Sequence, residues 1–298
     1  MYPYYPPIGT EKTCKEMPVF FPDQHQDRQP GLEYLMQPLP ISDNPSYVGS
    51  GKLKDKVAII TGGDSGIGRA VAIAFAKEGA DLAISYLNEH RDARETAEMV
   101  AGYGRRCLLL PGDLRDEQWC REVVSRTVAQ YGKLNVLVIN HGVLFRQPSI
   151  MDISRQQLED TFHVNIFPSF FLTQEALPHL RPGSSIISTT SVTAYKGVPE
   201  MVDYSASKGA IVSFTRSLSL QLARTGIRVN AVAPGPIWTP LQVLFTNEYI
   251  RTFGVDTPMG RPGQPFELAP TYVYLASDDS GYVTGQVLHV NGGTITES

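Results

Sequence analysis

From Lys52 onward, short β-branched runs alternate with longer amphipathic ones, and nothing else in the chain constrains its fold as strongly. Strands read at VAIIT (57–61), LAISY (82–86), CLLLP (107–111), VLVIN (136–140), SIISTT (185–190), RVNAVA (228–233) and QVLHV (286–290). Apolar residues at helical spacing fill the gaps, around 67–78, 89–103, 116–131, 154–180, 204–224 and 265–276. This alternation predicts an α/β fold. Its core would be one Rossmann-like, doubly wound sheet of about seven parallel strands with helices on both faces. No solenoid repeat is visible, and no second domain follows Lys52.

Residues 1–50 differ from this pattern. They hold nine of the 22 prolines, with many Gln, Asp and Tyr and little periodicity, so they should build no core of their own. Two readings stand: a disordered tail, or an extended segment laid over the body or a neighbouring subunit. In the second, Phe20, Phe21, Leu32, Tyr34 and Met36 would be the anchors. The expected organisation is a Pro-rich tail over 1–50 and one domain over 51–298.

A net charge of −4 offers no general attraction for nucleic acid or anionic membrane. No apolar run is long enough to span a bilayer, and the N-terminus lacks the pattern of a secretory signal. Cys14, Cys107 and Cys120 form no metal-like cluster and cannot all pair with one another. The expectation is a reduced, cytoplasmic protein without a metal site.

TGGDSGIGRA (61–70) follows the first strand and opens the first helix. In that context Gly62, Gly66 and Gly68 suit a tight turn, close approach to a pyrophosphate and helix–sheet packing. The helix N-terminus adds N–H groups and a partial positive charge for phosphate. Asp64, Ser65 and Ile67 share the turn. GDL (112–114) places Asp113 and Leu114 at the carboxyl end of the third strand, where Asp113 reads either as an adenine contact or as a helix cap.

In DYSASK, Tyr204 and Lys208 stand four residues apart on one helix face. A neighbouring ammonium favours a phenolate, so Lys208 should lower the Tyr204 pKa and fit it for proton transfer near neutrality. A surface pair with no task is the competing reading of these two residues alone.

Taken together, these motifs resemble the classical short-chain dehydrogenase/reductase family from about residue 52 onward. TGGDSGIG, GDL, VINHG (138–142), Ser191 thirteen residues before Tyr204, YSASK and PGPIWT (234–239) occur in the family's order. The Pro/Gln-rich extension and the GGDSGIG variant are similar to a bacterial branch labelled glucose-dehydrogenase-like or stress-protein-like. The resemblance implies Tyr204 as general acid/base, Lys208 as its partner and ribose ligand, and Ser191 as hydrogen-bond donor to the substrate oxygen. Asn165 would complete the set through a bound water, aided by a carbonyl of Val164 that Pro168 cannot engage. Asn140, Gly142, Pro234, Gly235, Ile237 and Thr239 would join Tyr204 and Lys208 around the coenzyme. Ile139 and His141 depart from the family pattern. His141 reads either as a tolerated structural change or as a group that reshapes the pocket or titrates near neutrality.

The end of the second strand is Tyr86, followed by Leu87 and Asn88, with neither the acidic residue that selects NAD nor an Arg for NADP. Asp64 could disfavour a 2′-phosphate. Arg69 reads equally well as a surface residue of the first helix. The coenzyme is therefore NAD or NADP. Substrate is expected between 143–150, 192–202 and a lid at about 236–259. The lid carries Trp238, Leu241, Val243, Leu244, Phe245, Tyr249 and Phe253. These residues read either as a lining for an apolar substrate or as the ordinary underside of a lid. The expected activity is interconversion of a carbonyl and an alcohol on a small molecule. The alternatives are a non-catalytic dinucleotide-binding regulator and a sugar-nucleotide epimerase, for which the chain leaves little room. The resemblance also implies a homotetramer.

Overall fold

The computed structural model describes residues 10–12, 16–18 and 21–296; Cys14 and the anchor candidate Phe20 lie outside them. Near the N-terminus β1 (Thr10–Lys12) pairs antiparallel with β2 (Glu16–Pro18). Seven strands then form the main sheet: β3 (Val57–Thr61), β4 (Asp81–Tyr86), β5 (Cys107–Pro111), β6 (Val136–Ile139), β7 (Ser185–Thr189), β8 (Arg228–Pro234) and β9 (Val287–Val290). Their order is β5-β4-β3-β6-β7-β8-β9, and every pairing is parallel.

The period of two along each strand divides the core. Ala58 and Ile60 of β3, with Val136 and Val138 of β6, pack against α1 (Gly66–Lys77), α2 (His90–Gly102) and α9 (Pro265–Ala276). Ile59, Leu137 and Ile139 face the other side, toward α3 (Glu117–Tyr131), α5 (Phe167–Ala176) and α7 (Val202–Leu222). Successive strands run outward one way from β3 to β5 and the other way from β6 to β9, so the strand order reverses between β3 and β6. A crevice opens there beyond the carboxyl ends, where doubly wound folds hold ligands.

Strand boundaries fall within a residue of expectation. The long helix expected over 154–180 is instead broken: α4 (Arg155–Asn165) ends before Ile166, and α5 restarts with Pro168 in its first turn. Proline has no N–H for the Val164 carbonyl, and Ile166 leaves helical geometry (φ −120°, ψ −52°). Two short helices had no sequence expectation, α6 (Thr193–Lys196) and α8 (Asn247–Arg251).

Residues 21–50 run extended across the body. Phe21 stacks on Trp238 with ring centroids 3.8 Å apart, and Met36 joins both in a cluster with Val243, Ile250 and Phe253. The Trp238 indole N–H donates to the Pro38 carbonyl (2.9 Å). Much of the apolar surface read as the lid's underside is thus covered by the N-terminal segment.

Arg69 is not a surface residue, as one sequence reading had it. It is 5% exposed, and its guanidinium lies 2.7 Å from the Glu33 carboxylate and 3.5 Å from that of Asp92. Glu33 also accepts from the Gly66 N–H at the start of α1 (2.5 Å). Asp92 in turn accepts from the N–H groups of Glu33 and Tyr34 (2.9 and 3.1 Å). Burial outweighs the guanidinium and pushes the Glu33 carboxyl up to about 7.

Candidate active site

The glycine turn opens the crevice. Gly62 (φ +60°) and Gly66 (φ +50°) take a backbone form that other residues adopt only under strain. A Cβ on Gly68 would sit 1.9 Å from the Gly62 carbonyl oxygen, so only glycine lets α1 pack on the end of β3. The first N–H groups of α1 have no acceptor within the helix. Glu33 takes that of Gly66, and Ile67 stays in the crevice wall. This cradle fits a dinucleotide pyrophosphate.

The cavity measures about 460 Å³. Gly62, Asp64, Ser65, Gly66, Ile67, Tyr86, Asp113 and Leu114 line one end. Asn140, Gly142, Ser191, Tyr204, Lys208, Pro234, Gly235, Ile237 and Thr239 line the other. Two expected residues stand behind the wall: Gly68, for the packing reason above, and Asn165, which is buried. Asp113 does not cap α3. Asp116 does that, accepting from the Gln118 N–H, while Asp113 holds Arg115 (2.8 Å).

Tyr204 lies in the first turn of α7, and Asp203 fixes that turn. One Asp203 oxygen accepts from the Tyr204 N–H (2.9 Å), the other from Thr161 and Gln157 of α4 (2.8 and 3.0 Å). Lys208, one helical turn on, donates to the Thr189 carbonyl (3.0 Å), with its Nζ 5.6 Å from the Tyr204 ring centre. Thr190 anchors the Lys208 carbonyl (2.7 Å). Leu144, Met201 and Phe245 surround the phenol with apolar surface. Burial pushes the Tyr204 phenol up to about 12, against a hydrogen bond from Ser191, and pushes the Lys208 ammonium down to about 8. The expected lowering of the Tyr204 pKa by Lys208 is absent here: burial raises it, and what opposes burial is the Ser191 hydrogen bond, not the ammonium.

Residues 62–295 match a family model described as enoyl-(acyl carrier protein) reductase. The uncharacterized oxidoreductase YhdF of Bacillus subtilis (strain 168) is 61% identical over 271 residues, 91% of this chain and 94% of that protein. The chain belongs to the short-chain dehydrogenase/reductase family. General stress protein 39 of the same organism is 54% identical over 277 residues, 93% of this chain and 97% of that protein. NADPH-dependent aldehyde reductase 1, chloroplastic, of Arabidopsis thaliana is 49% identical over 283 residues, 92% of this chain and 98% of that protein. The solved structure of a short chain dehydrogenase from Burkholderia cenocepacia J2315 in complex with NADP has a TM-score of 0.77 at 30% identity, covering 81% of this chain and 98% of that one. As a short-chain dehydrogenase/reductase, the protein is an NAD(P)-dependent oxidoreductase that interconverts a carbonyl and an alcohol.

Where the chain departs from the family pattern, the geometry supplies a reason. The His141 ring bridges the Thr61 hydroxyl (Nδ1, 2.7 Å) and the Val164 carbonyl (Nε2, 2.9 Å). A carbonyl only accepts, so Nε2 carries the proton and Nδ1 accepts from Thr61. His141 thereby occupies the carbonyl that Pro168 leaves free, where a water was expected. Burial, helped by the Lys208 charge, pulls the imidazole down to about 4. This removes the reading of His141 as a group titrating near neutrality. An unfolded imidazole takes its proton near 6.5 and the folded one near 4, so this contribution to stability is complete above pH 6.5 and is lost as pH falls toward 4. The expected NMR result is no His141 inflection between pH 5.5 and 8. His141→Ala, which strands the Val164 carbonyl, should cost about 1–3 kcal/mol in denaturant melts.

Asn165 accepts from the Val143 N–H (2.8 Å) and donates to the Val143 carbonyl and the Ser207 hydroxyl (3.0 Å each). Gly142 lies between Asn165 and Lys208, where a Cβ would be 3.2 Å from the Asn165 oxygen and 3.4 Å from Nζ. Sequence reasoning also missed Glu89. The end of β4 lacks an acidic residue at 86–88, yet Glu89, three positions beyond Tyr86, lines the crevice and is buried. Arg28 of the N-terminal segment pairs with it (2.8 Å). Neither residue carried a spacing signal, because Arg28 lies 61 positions away in the chain.

Proposed function

We propose that Tyr204 is the general acid/base of a carbonyl reductase or alcohol dehydrogenase acting on a moderately apolar aldehyde or ketone. The observation that carries this reading is the convergence of Ser191, Tyr204 and Lys208 on the crevice that the glycine turn opens. In the reducing direction Tyr204 gives its proton to the carbonyl oxygen, and in the oxidising direction it takes that proton back. Ser191 donates a hydrogen bond to the same oxygen as charge builds there. Lys208 holds the ribose hydroxyls of the coenzyme beside the phenol. The bound nicotinamide supplies or accepts the hydride. Asn165 keeps Val143 and Ser207 in register behind Lys208. Gly62, Asp64, Ser65, Gly66, Ile67, Tyr86, Asp113 and Leu114 take the adenosine and pyrophosphate. Asn140, Gly142, Pro234, Gly235, Ile237 and Thr239 take the nicotinamide half. Gly68 acts through packing.

The lid spans about 236–259, and its Leu241, Phe245 and Tyr249 cluster with Leu144 and Met201 around Tyr204, which favours an apolar substrate. The relative named as an aldehyde reductase supports a carbonyl substrate. The test is oxidation of NADH and of NADPH by the purified protein across aldehydes, ketones and sugars, with one enoyl thioester for the activity the family model's description names. Tight coenzyme binding without turnover on any of them would favour the regulator reading.

The cytoplasm is the proposed compartment. Among the described residues Cys107 and Cys120 are unpaired and no helix is long and apolar enough to cross a membrane. A homotetramer is the proposed assembly. Phe167 and Phe170 of α5 are 41% and 46% exposed, and Phe170 meets Phe214 of α7 edge to face, leaving an apolar band that a second copy would cover. Sedimentation should give a tetramer for the wild type and smaller species for Phe170→Asp.

A further inference from the structure

Residues 28–33 span the crevice, with contacts on both of its banks. On the β4 side, Arg28 holds Glu89 (2.8 Å) and Asn88, and Glu33 and Tyr34 hang on the buried Asp92. On the opposite side, the Gln29 amide pairs with both backbone groups of Leu144, accepting at 2.8 Å and donating at 3.2 Å. Gly31 lies so near the lid that a Cβ there would be 2.6 Å from the Pro240 carbonyl. Between these contacts Gln29, Pro30 and Gly31 form cavity wall, facing the same space as Ile67, Tyr204 and Lys208.

We propose that residues 28–33 belong to the coenzyme site, as a strap that closes over the bound dinucleotide and must lift for it to leave. The inference rests on the crevice being the coenzyme site. The strap's ends are fixed by buried contacts, the Phe21–Trp238 stack before it and Glu33 on Gly66 and Arg69 at its far end. Between them, the side chains of Arg28 and Gln29 hold the two banks, while the Gln26 amide pairs with both backbone groups of Leu32 within the segment itself; the bonds to the banks can open without unfolding the ends. Arg28 also sits at the strand end where doubly wound folds bind the adenosine ribose, so it closes that half of the cleft.

The experiment is stopped-flow displacement of NADH or NADPH, whichever the full-length wild type holds, compared with Arg28→Ala/Gln29→Ala. Losing these bonds should raise the release rate by about tenfold or more. Gly31→Val, which cannot pass the Pro240 carbonyl, should act in the same direction. In the wild type, hydrogen exchange across 26–36 should slow when coenzyme is added; this measurement decides the matter if either variant fails to fold. Wild-type binding with unchanged release in both variants and unchanged exchange would overturn the strap alone. Binding of neither coenzyme by the wild type would overturn the coenzyme reading on which it rests.

Discussion

Tyr204→Phe should lower kcat/KM by about 10²–10⁴-fold, the range for losing a positioned general acid or base. Coenzyme affinity should stay within about threefold of wild type, because the ring and its apolar surroundings of Leu144, Met201 and Phe245 are unchanged. The pH profile tests the same assignment differently. Burial sets the Lys208 ammonium near 8, so turnover in the reducing direction should decline above about pH 8 as that charge is lost. In Lys208→Arg the guanidinium keeps its charge, and whatever activity remains should not show that decline. Turnover that survives Tyr204→Phe would mean that another group moves the proton.

Arg69→Met should destabilise the protein by about 3–5 kcal/mol, the cost of removing one partner from a buried ion pair. Its guanidinium is the cation facing Glu33 and Asp92, and it also donates to the Asp64 carbonyl (3.0 Å) and the Thr96 hydroxyl (2.9 Å). The loss should depend on pH in a defined sense. The Glu33 carboxyl titrates at about 7 in the folded state against about 4.5 unfolded, so its own contribution is complete below 4.5 and drains as pH rises through 7. Without the guanidinium, ionised Glu33 is worse placed still. The deficit measured by urea melts should therefore be larger at pH 8 than at pH 5. Glu33→Gln in the same background should recover part of it at pH 8. Equal losses at both pH values would show that Arg69 contributes through packing and its hydrogen bonds to Asp64 and Thr96, not through its charge on Glu33.

These two residues mark the limit of what could be read before the fold was known. Tyr204 announced itself because helical spacing puts Lys208 on its face, and the glycine turn because a strand precedes it and a helix follows. Both signals are local in the chain. Arg69 could not be placed, since its partners lie 36 residues before it and 23 after it and share no periodicity with it. Trp238 misled for a related reason. An apolar lid residue looks the same whether it faces substrate or, as here, an aromatic ring more than 200 residues away. The break at Ile166 was half legible: Pro168 predicted a freed carbonyl, but nothing in the spacing said that His141 would take it.

The stack of Phe21 on Trp238 has a practical consequence for anyone making the protein. Trimming the proline-rich leader back to Lys52 looks like sensible housekeeping, yet it would strip the cover from Trp238, Val243 and Phe253 and leave Arg69 without its Glu33 partner. Such a shortened product should clump during purification and tempt its makers to blame the catalytic domain. An affinity tag placed at the far end of the chain avoids that misdiagnosis.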